Sequence, residues 1–336
     1  MTHRQRMIAA FNFEHPDKIP VVYHPSPAGL HTHGVKLLDL FRAYPPDNPI
    51  TFDGIPVPSE GAVKPDGSYR EIKKDEWGTV WKHNIFGVHG HPIEYPFKNW
   101  KQAQDYEFPP FEHLINSEDI LKQRNDFLVF EGWISLFEKL CSLRPMDDVL
   151  IGLYTRDADL LAFLDRMVEY WSSMIERLIE ADVDVIVFGD DWGTQSSTII
   201  SPELFREIYK PRYATLMKPV KSAGKRIFFH SCGYLGHVLD DLLDLGINGL
   251  WPQIGQMENR EDFLDLCVKN KLLIYIHPDR QQLIPRGTPD EIDSAIRNYA
   301  KRYHDIGGGA VFYIEIENDA PFKNVEALVK AVHRYR

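Results

Sequence analysis

Arg226-Ile227-Phe228-Phe229-His230-Ser231-Cys232-Gly233 is the stretch on which the reading of this chain turns. A short apolar run with β character ends in a histidine, and a cysteine follows two residues later. An unbroken apolar run, in contrast to an alternating one, suits a parallel strand buried on both faces. Imidazole nitrogen and thiolate sulfur are ligands that zinc favours. A strand end followed by Gly233 would hold both side chains at a sheet edge, facing whatever binds there. The plainer reading is a chance pair in which the cysteine is a small buried hydrophobe.

Six further runs of this kind occur at 19–24, 127–131, 183–190, 247–251, 272–277 and 310–315, and an eighth strand is expected near 50–55. Periodic helical patterns separate most of them. The stretch 160–181 carries apolar residues at helical spacing; 202–223 opens with Ser201-Pro202-Glu203, a cap followed by proline at the first helical position. A third, 236–245, stops at Gly246, and 288–303 opens with Thr288-Pro289. Eight strands alternating with helices define α/β architecture, and the expectation is a (β/α)8 TIM barrel filling residues 1–336 as one domain. An open doubly wound sheet is the alternative. One insertion, 60–110, breaks the alternation. There Tyr69-Arg70-Glu71-Ile72 and Thr79-Val80-Trp81-Lys82 flank Asp75-Glu76-Trp77-Gly78, which reads as a β-hairpin serving as a lid or an oligomer contact.

Composition narrows the function. A net charge of −11 without a basic stripe excludes nucleic acid as a partner. Three cysteines are too few and too scattered for a disulfide framework, and Cys141 and Cys267 sit in amphipathic helical stretches as core residues. The N-terminal 1–11 starts an amphipathic helix and lacks the apolar segment of a signal peptide. No window approaches the length of a membrane span. A cytoplasmic protein is expected, with a small-molecule substrate, no membrane association, and a homodimer among the options.

Chemistry in such a barrel sits at the carboxyl ends of the strands. The residues delivered there are His24, Glu131 with Trp133, Asp190 with Asp191, His230 with Cys232, Gln253, His277 with Asp279, and Glu315 with Glu317. Asp190 and Asp191 could supply a base, a metal ligand or a partner orienting His230; the plainer reading is that one of them caps a helix or bonds loop amides. His24 and His277 either touch substrate or are structural imidazoles. Gln253 follows Trp251-Pro252 and serves equally as a turn residue. On the last strand, Tyr313, Glu315 and Glu317 share a face opposite Ile314 and Ile316. A carboxylate buried there needs a partner, which zinc or a basic side chain would supply.

Phe188-Gly189-Asp190-Asp191-Trp192-Gly193, Ile200-Ser201-Pro202-Glu203-Leu204-Phe205, Pro211-Arg212-Tyr213, His230-Ser231-Cys232-Gly233 and Leu283-Ile284-Pro285-Arg286-Gly287 follow one another in an order and spacing that resembles the uroporphyrinogen decarboxylase superfamily. The likeness is strongest to its corrinoid-dependent methyltransferase and O-demethylase branch, and it implies the barrel fold. True decarboxylases carry an arginine-bearing segment near the start; the matching 21–27 here has none, which speaks against the namesake activity. In the zinc-dependent methyltransferases of the superfamily a His-x-Cys pair and a later ligand on the last strand hold the metal. By resemblance His230 and Cys232 are the pair, and Glu315 or else Glu317 the later ligand.

A His/Cys/Glu set leaves zinc a stronger Lewis acid than a thiolate-rich one and suits an ether oxygen. The expected function is therefore zinc-dependent removal of a methyl group from a small, methoxylated aromatic compound. The methyl passes to a corrinoid carried by a partner protein. Asp190 and His277 would manage the proton; His24, Trp133, Asp191, Gln253 and Tyr313 would contact substrate. Aromatic residues expected near the mouth are Trp133, Phe137, Trp192, Trp251 and Tyr313. The alternatives are a metal-independent decarboxylase and a non-catalytic tetrapyrrole-binding barrel.

Overall fold

A computed structural model describes residues 1–50, 54–257, 262–304 and 306–336. Among the described residues, ten strands form two sheets. They are β1 (Val21–Pro25), β2 (Glu71–Lys74), β3 (Val80–His83), β4 (His91–Glu94), β5 (Phe130–Ile134), β6 (Val185–Gly189), β7 (Arg226–Ser231), β8 (Gly249–Pro252), β9 (Leu273–Ile276) and β10 (Ala310–Ile316). The large sheet is parallel throughout, in the order β1-β10-β9-β8-β7-β6-β5. It curls as a TIM-barrel-like wall with helices outside, such as Ala158–Glu180, Pro289–His304 and Phe322–Tyr335. The expected eighth strand at 50–55 falls on 51–53, outside the described residues.

Side chains alternate across the wall as strand geometry requires. On β10, Phe312, Ile314 and Ile316 enter the layer between sheet and helices, whereas Val311 and Tyr313 face inward. The inner cluster takes Val22, Val185, Phe228, Tyr275 and Tyr313 from different strands, and helix His3–Asn12 plugs its base with Met7, Ala10 and Phe11. Thr2 caps that helix through a capping box. At the same end, Arg4 and Arg124 grip the buried Asp184.

β5 begins later than the apolar run 127–131 suggests and runs on to Ile134. Its far half carries a bulge: Gly132 and Trp133 have φ of 103° and 150°, and the register to β6 shifts between Gly132 and Ile134. The insertion contains the expected hairpin, β2 with β3, and a third antiparallel strand, β4. This small sheet bridges the two edges of the large one. Toward β5, Thr79 Oγ1 donates to Ser142 O (2.8 Å) and Trp77 packs on Trp171 with centroids 5.8 Å apart. Toward β1, Phe86 packs edge-on against His31 at 5.0 Å.

Candidate metal centre

The loops that follow β6 and β7 are zipped together. Ser231 Oγ accepts from Trp192 N (2.9 Å), Cys232 O from Gly193 N (3.1 Å), and Thr194 O from Tyr234 N (2.8 Å). The approach is close enough that a Cβ on Gly233 would stand 2.2 Å from Gly193 C, and Gly233 has a φ of 78°. Only glycine meets both demands. The zipper lays Asp191 against the pair at the end of β7. Asp191 Oδ1 accepts from Cys232 N at 2.7 Å and lies 3.4 Å from His230 Nε2, which is 3.5 Å from Cys232 Sγ.

Among the described residues, Asp191, His230 and Cys232 form the one group whose ligand atoms converge, all within 4.8 Å. His230 Nδ1 is 3.0 Å from Trp251 O, an acceptor, so Nδ1 carries the hydrogen and the Nε2 lone pair faces the other two. A lone pair, a sulfur and a carboxylate oxygen pointed at one another repel unless a proton or a cation stands between them. Burial, and then the Asp191 charge, push the Cys232 thiol up to about 12, so a nearby cation is what would make it a thiolate at neutral pH. Nitrogen, sulfur and oxygen donors with an imidazole anchored through its far nitrogen fit zinc.

Glu315, expected as third ligand, does not join this group. Its carboxylate pairs with Arg280 (2.6 Å) and lies 3.4 Å from His277 Nε2. The basic-side-chain reading of that carboxylate is what the geometry gives, and Asp191 takes the place beside the pair. Glu317 accepts from Ser26 Oγ at 2.7 Å.

Asp190, expected to handle a proton, is wholly buried and saturated. Its oxygens accept from Ser135 Oγ (2.8 Å), Glu138 N (2.7 Å), Leu136 N (2.8 Å) and the Tyr213 hydroxyl. It therefore caps helix Phe137–Leu143 and ties it to the helical stretch containing Tyr213, a structural duty that leaves no lone pair for a substrate. His277 Nδ1 accepts from Trp251 Nε1 at 3.2 Å. Burial, then the charge of Arg280, lowers its pKa to about 3. It is thus a neutral ring offering Nε2–H as a fixed donor near Glu315, not a titrating acid.

Of the residues expected to contact substrate, Trp133 is 44% exposed and tilts over His230 at 5.4 Å. Its backbone lies in a region that non-glycine residues rarely occupy, a strain associated with functional positions. Gly189 clears room for the ring, since a Cβ there would meet the indole at 2.7 Å. Trp251 joins the cluster to the interior, 4.0 Å from the His230 ring and 4.2 Å from Tyr313. His24 is exposed and stacks on Tyr313 at 6.0 Å. Gln253 lines a cleft of about 250 Å³ with His277 and Arg280. Phe137 and Trp192 are not at the mouth: they stack on each other at 4.8 Å, both buried between sheet and helices.

Sequence reasoning missed Glu138. It lies in the first turn of the helix that Asp190 caps, and burial, followed by the charges of Asp190 and Asp191, raises its pKa to about 8. The only signal was its place just after a strand end.

A parallel barrel with a ligand cluster on its carboxyl rim belongs to the class that carries its chemistry there. Residues 100–335 match the family model described as Uroporphyrinogen decarboxylase (URO-D), and the chain belongs to that family. A methyltransferase from Methanosarcina mazei superposes over 100% of this chain and 99% of its own, with a TM-score of 0.66 at 19% sequence identity. At that identity the likeness bears on the fold. A protein from Sinorhizobium meliloti 1021 aligns with 52% of this chain and 72% of its own (TM-score 0.36, 14% identity). A dihydropteroate synthase from Stenotrophomonas maltophilia aligns with 51% and 63% (TM-score 0.35, 13% identity). None of the curated proteins matches the chain. No helix among the described residues is long and apolar enough to cross a membrane.

Proposed function

We propose that this protein is a zinc-dependent methyltransferase that demethylates a small methoxylated aromatic compound and passes the methyl group to a reduced corrinoid on a separate carrier protein. The observation that carries the reading is the convergence of one carboxylate oxygen, one imidazole nitrogen and one thiol sulfur at the rim. The structural likeness to a methyltransferase adds support. Asp191, His230 and Cys232 would hold the zinc, three protein ligands being the number that leaves a position open for substrate. When bound, the ion supplies Lewis acidity toward the heteroatom carrying the methyl group and makes it a better leaving group.

The chain's own residues prepare that position. The Trp251 carbonyl fixes the His230 ring through Nδ1 and leaves Nε2 free. Cys232 N–H holds one Asp191 oxygen in place. The indole of Trp133, over His230, and that of Trp251 beneath form flat apolar walls against which an aryl ring can lie. His277 stays neutral, its Nδ1 accepting from Trp251 Nε1 and its Nε2 held 3.4 Å from the Glu315 carboxylate.

The test is methyl transfer from methoxyarenes to cob(I)alamin, with and without a chelator, alongside elemental analysis. Equimolar zinc and chelator-sensitive transfer are expected. Zinc-free protein that moves no methyl from any methoxyarene would defeat the reading, and metal-independent carbon dioxide release from a porphyrinogen would replace it with the decarboxylase.

A further inference from the structure

His230 is braced from the side. Its neighbour in the register between β7 and β8 is Trp251, which meets it at two points. The Trp251 carbonyl oxygen lies 3.0 Å from His230 Nδ1, and the indole lies 4.0 Å from the imidazole ring. The indole is in turn held by its N–H: Nε1 donates at 3.2 Å to Nδ1 of His277, the first residue past β9. Tyr313 of β10 packs on both rings, 4.2 Å from the indole and 5.1 Å from His277. These contacts run across adjoining strand ends in the order β7-β8-β9-β10.

The donors and acceptors of this chain leave one arrangement. An indole N–H can only donate, so His277 Nδ1 is bare and the ring hydrogen sits on Nε2. The Glu315 carboxylate, paired with Arg280, lies 3.4 Å from that Nε2 and can only accept. Both neighbours therefore require the same neutral tautomer. Burial, then the Arg280 charge, keeps the ring from protonating by lowering its pKa to about 3. His277 is 8% exposed, so protein contacts and not solvent set its orientation. Among the described residues no other acceptor bonds the Trp251 indole.

We propose that His277 is a positioning residue of the metal centre that acts through Trp251: it holds the indole N–H, which keeps the Trp251 ring and carbonyl against His230 and so directs Nε2 toward Asp191 and Cys232. The inference rests on the reading of those three residues as zinc ligands. Groups that orient a ligating histidine tune a metal site almost as strongly as the ligands do. The direct partner here is the Trp251 carbonyl, and His277 stands one step behind it. Its work is thus mechanical, in contrast to the proton handling expected from the sequence.

A double-mutant cycle on the full-length protein tests this, with zinc affinity read by chelator competition and folding confirmed by circular dichroism. His277→Phe keeps a ring and removes the acceptor. It should weaken zinc binding about tenfold in the native background. In the Trp251→Phe background, where no indole N–H remains, the same change should cost less than about twofold. His277→Asn, whose side-chain oxygen takes the place of Nδ1, should stay within about threefold of native. Equal losses in both backgrounds, or a folded His277→Phe that binds zinc like the native protein, overturn the proposal. A second reading needs no variant of His277. Coupling is reciprocal, so in protein labelled with 15N-tryptophan the indole N–H resonance that Trp251→Phe removes should exchange with solvent more slowly when zinc is bound. Equal exchange with and without zinc overturns the proposal, and native protein that takes up no zinc overturns it together with the metal centre. Zinc affinity that depends on His277 in a protein that transfers no methyl group defeats the methyltransferase reading alone.

Discussion

Asp190→Asn separates a structural aspartate from a catalytic one. Each oxygen of the native carboxylate accepts two hydrogen bonds: Oδ1 from Ser135 Oγ and Glu138 N, Oδ2 from Leu136 N and the Tyr213 hydroxyl. A carboxamide keeps one oxygen and replaces the other with a donor. With oxygen at the Oδ1 place, the amide nitrogen faces Leu136 N–H and the Tyr213 hydroxyl. The tyrosine can turn and accept, but the backbone N–H cannot. One buried backbone donor without a partner costs about 1–3 kcal/mol. Neutralising a fully buried carboxyl recovers part of its desolvation penalty, so the net loss for Asn is expected near 2 kcal/mol, or about twice that for Ala, which strands all four donors. Both are large beside a net stability of about 5–15 kcal/mol. Equilibrium urea unfolding followed by tryptophan fluorescence measures the loss, and zinc content of the folded variant should match the native protein. An Asn variant within about 0.5 kcal/mol of native stability, the range of an ordinary surface change, would refute the reasoning. So would a fully stable variant that has lost methyl transfer.

Three other outcomes are expected. Cys232→Ser should lower zinc from equimolar to substoichiometric after dialysis, read by elemental analysis. Glu315→Gln should leave zinc content unchanged, because its partners are Arg280 and His277; zinc loss in this variant would restore Glu315 as a ligand. Arg4→Met should make the protein more sensitive to acid. Burial raises the Asp184 carboxyl, but the bonds from Arg4, Val129 N and Arg124 outweigh it and hold the pKa below the ordinary 3.8. That contribution is present above the unfolded pKa and is lost as pH falls through the lower folded value. Removing Arg4 raises the folded value toward 3.8, so the acid-unfolding midpoint followed by circular dichroism should move upward; an unchanged midpoint would count against the ion pair.

The sequence by itself determined the barrel, because unbroken apolar runs alternating with capped amphipathic helices leave few other ways to bury both faces of each strand. It also determined that His230 and Cys232 lie close together, since two residues at i and i+2 at a strand end cannot be far apart. What completes their site was decided by lateral neighbours, which no local pattern encodes. β6 lies directly beside β7, so its following loop can be zipped to that of β7 and bring Asp191 within reach. β10 is three strands away in the order β7-β8-β9-β10, roughly 14 Å around the sheet at the usual strand spacing. Glu315 therefore meets groups that follow its own neighbour β9, His277 and Arg280. Asp190 and Asp191 are equivalent in sequence, yet successive residues point to opposite sides, and the tertiary structure sends one into the core as a cap and the other to the rim.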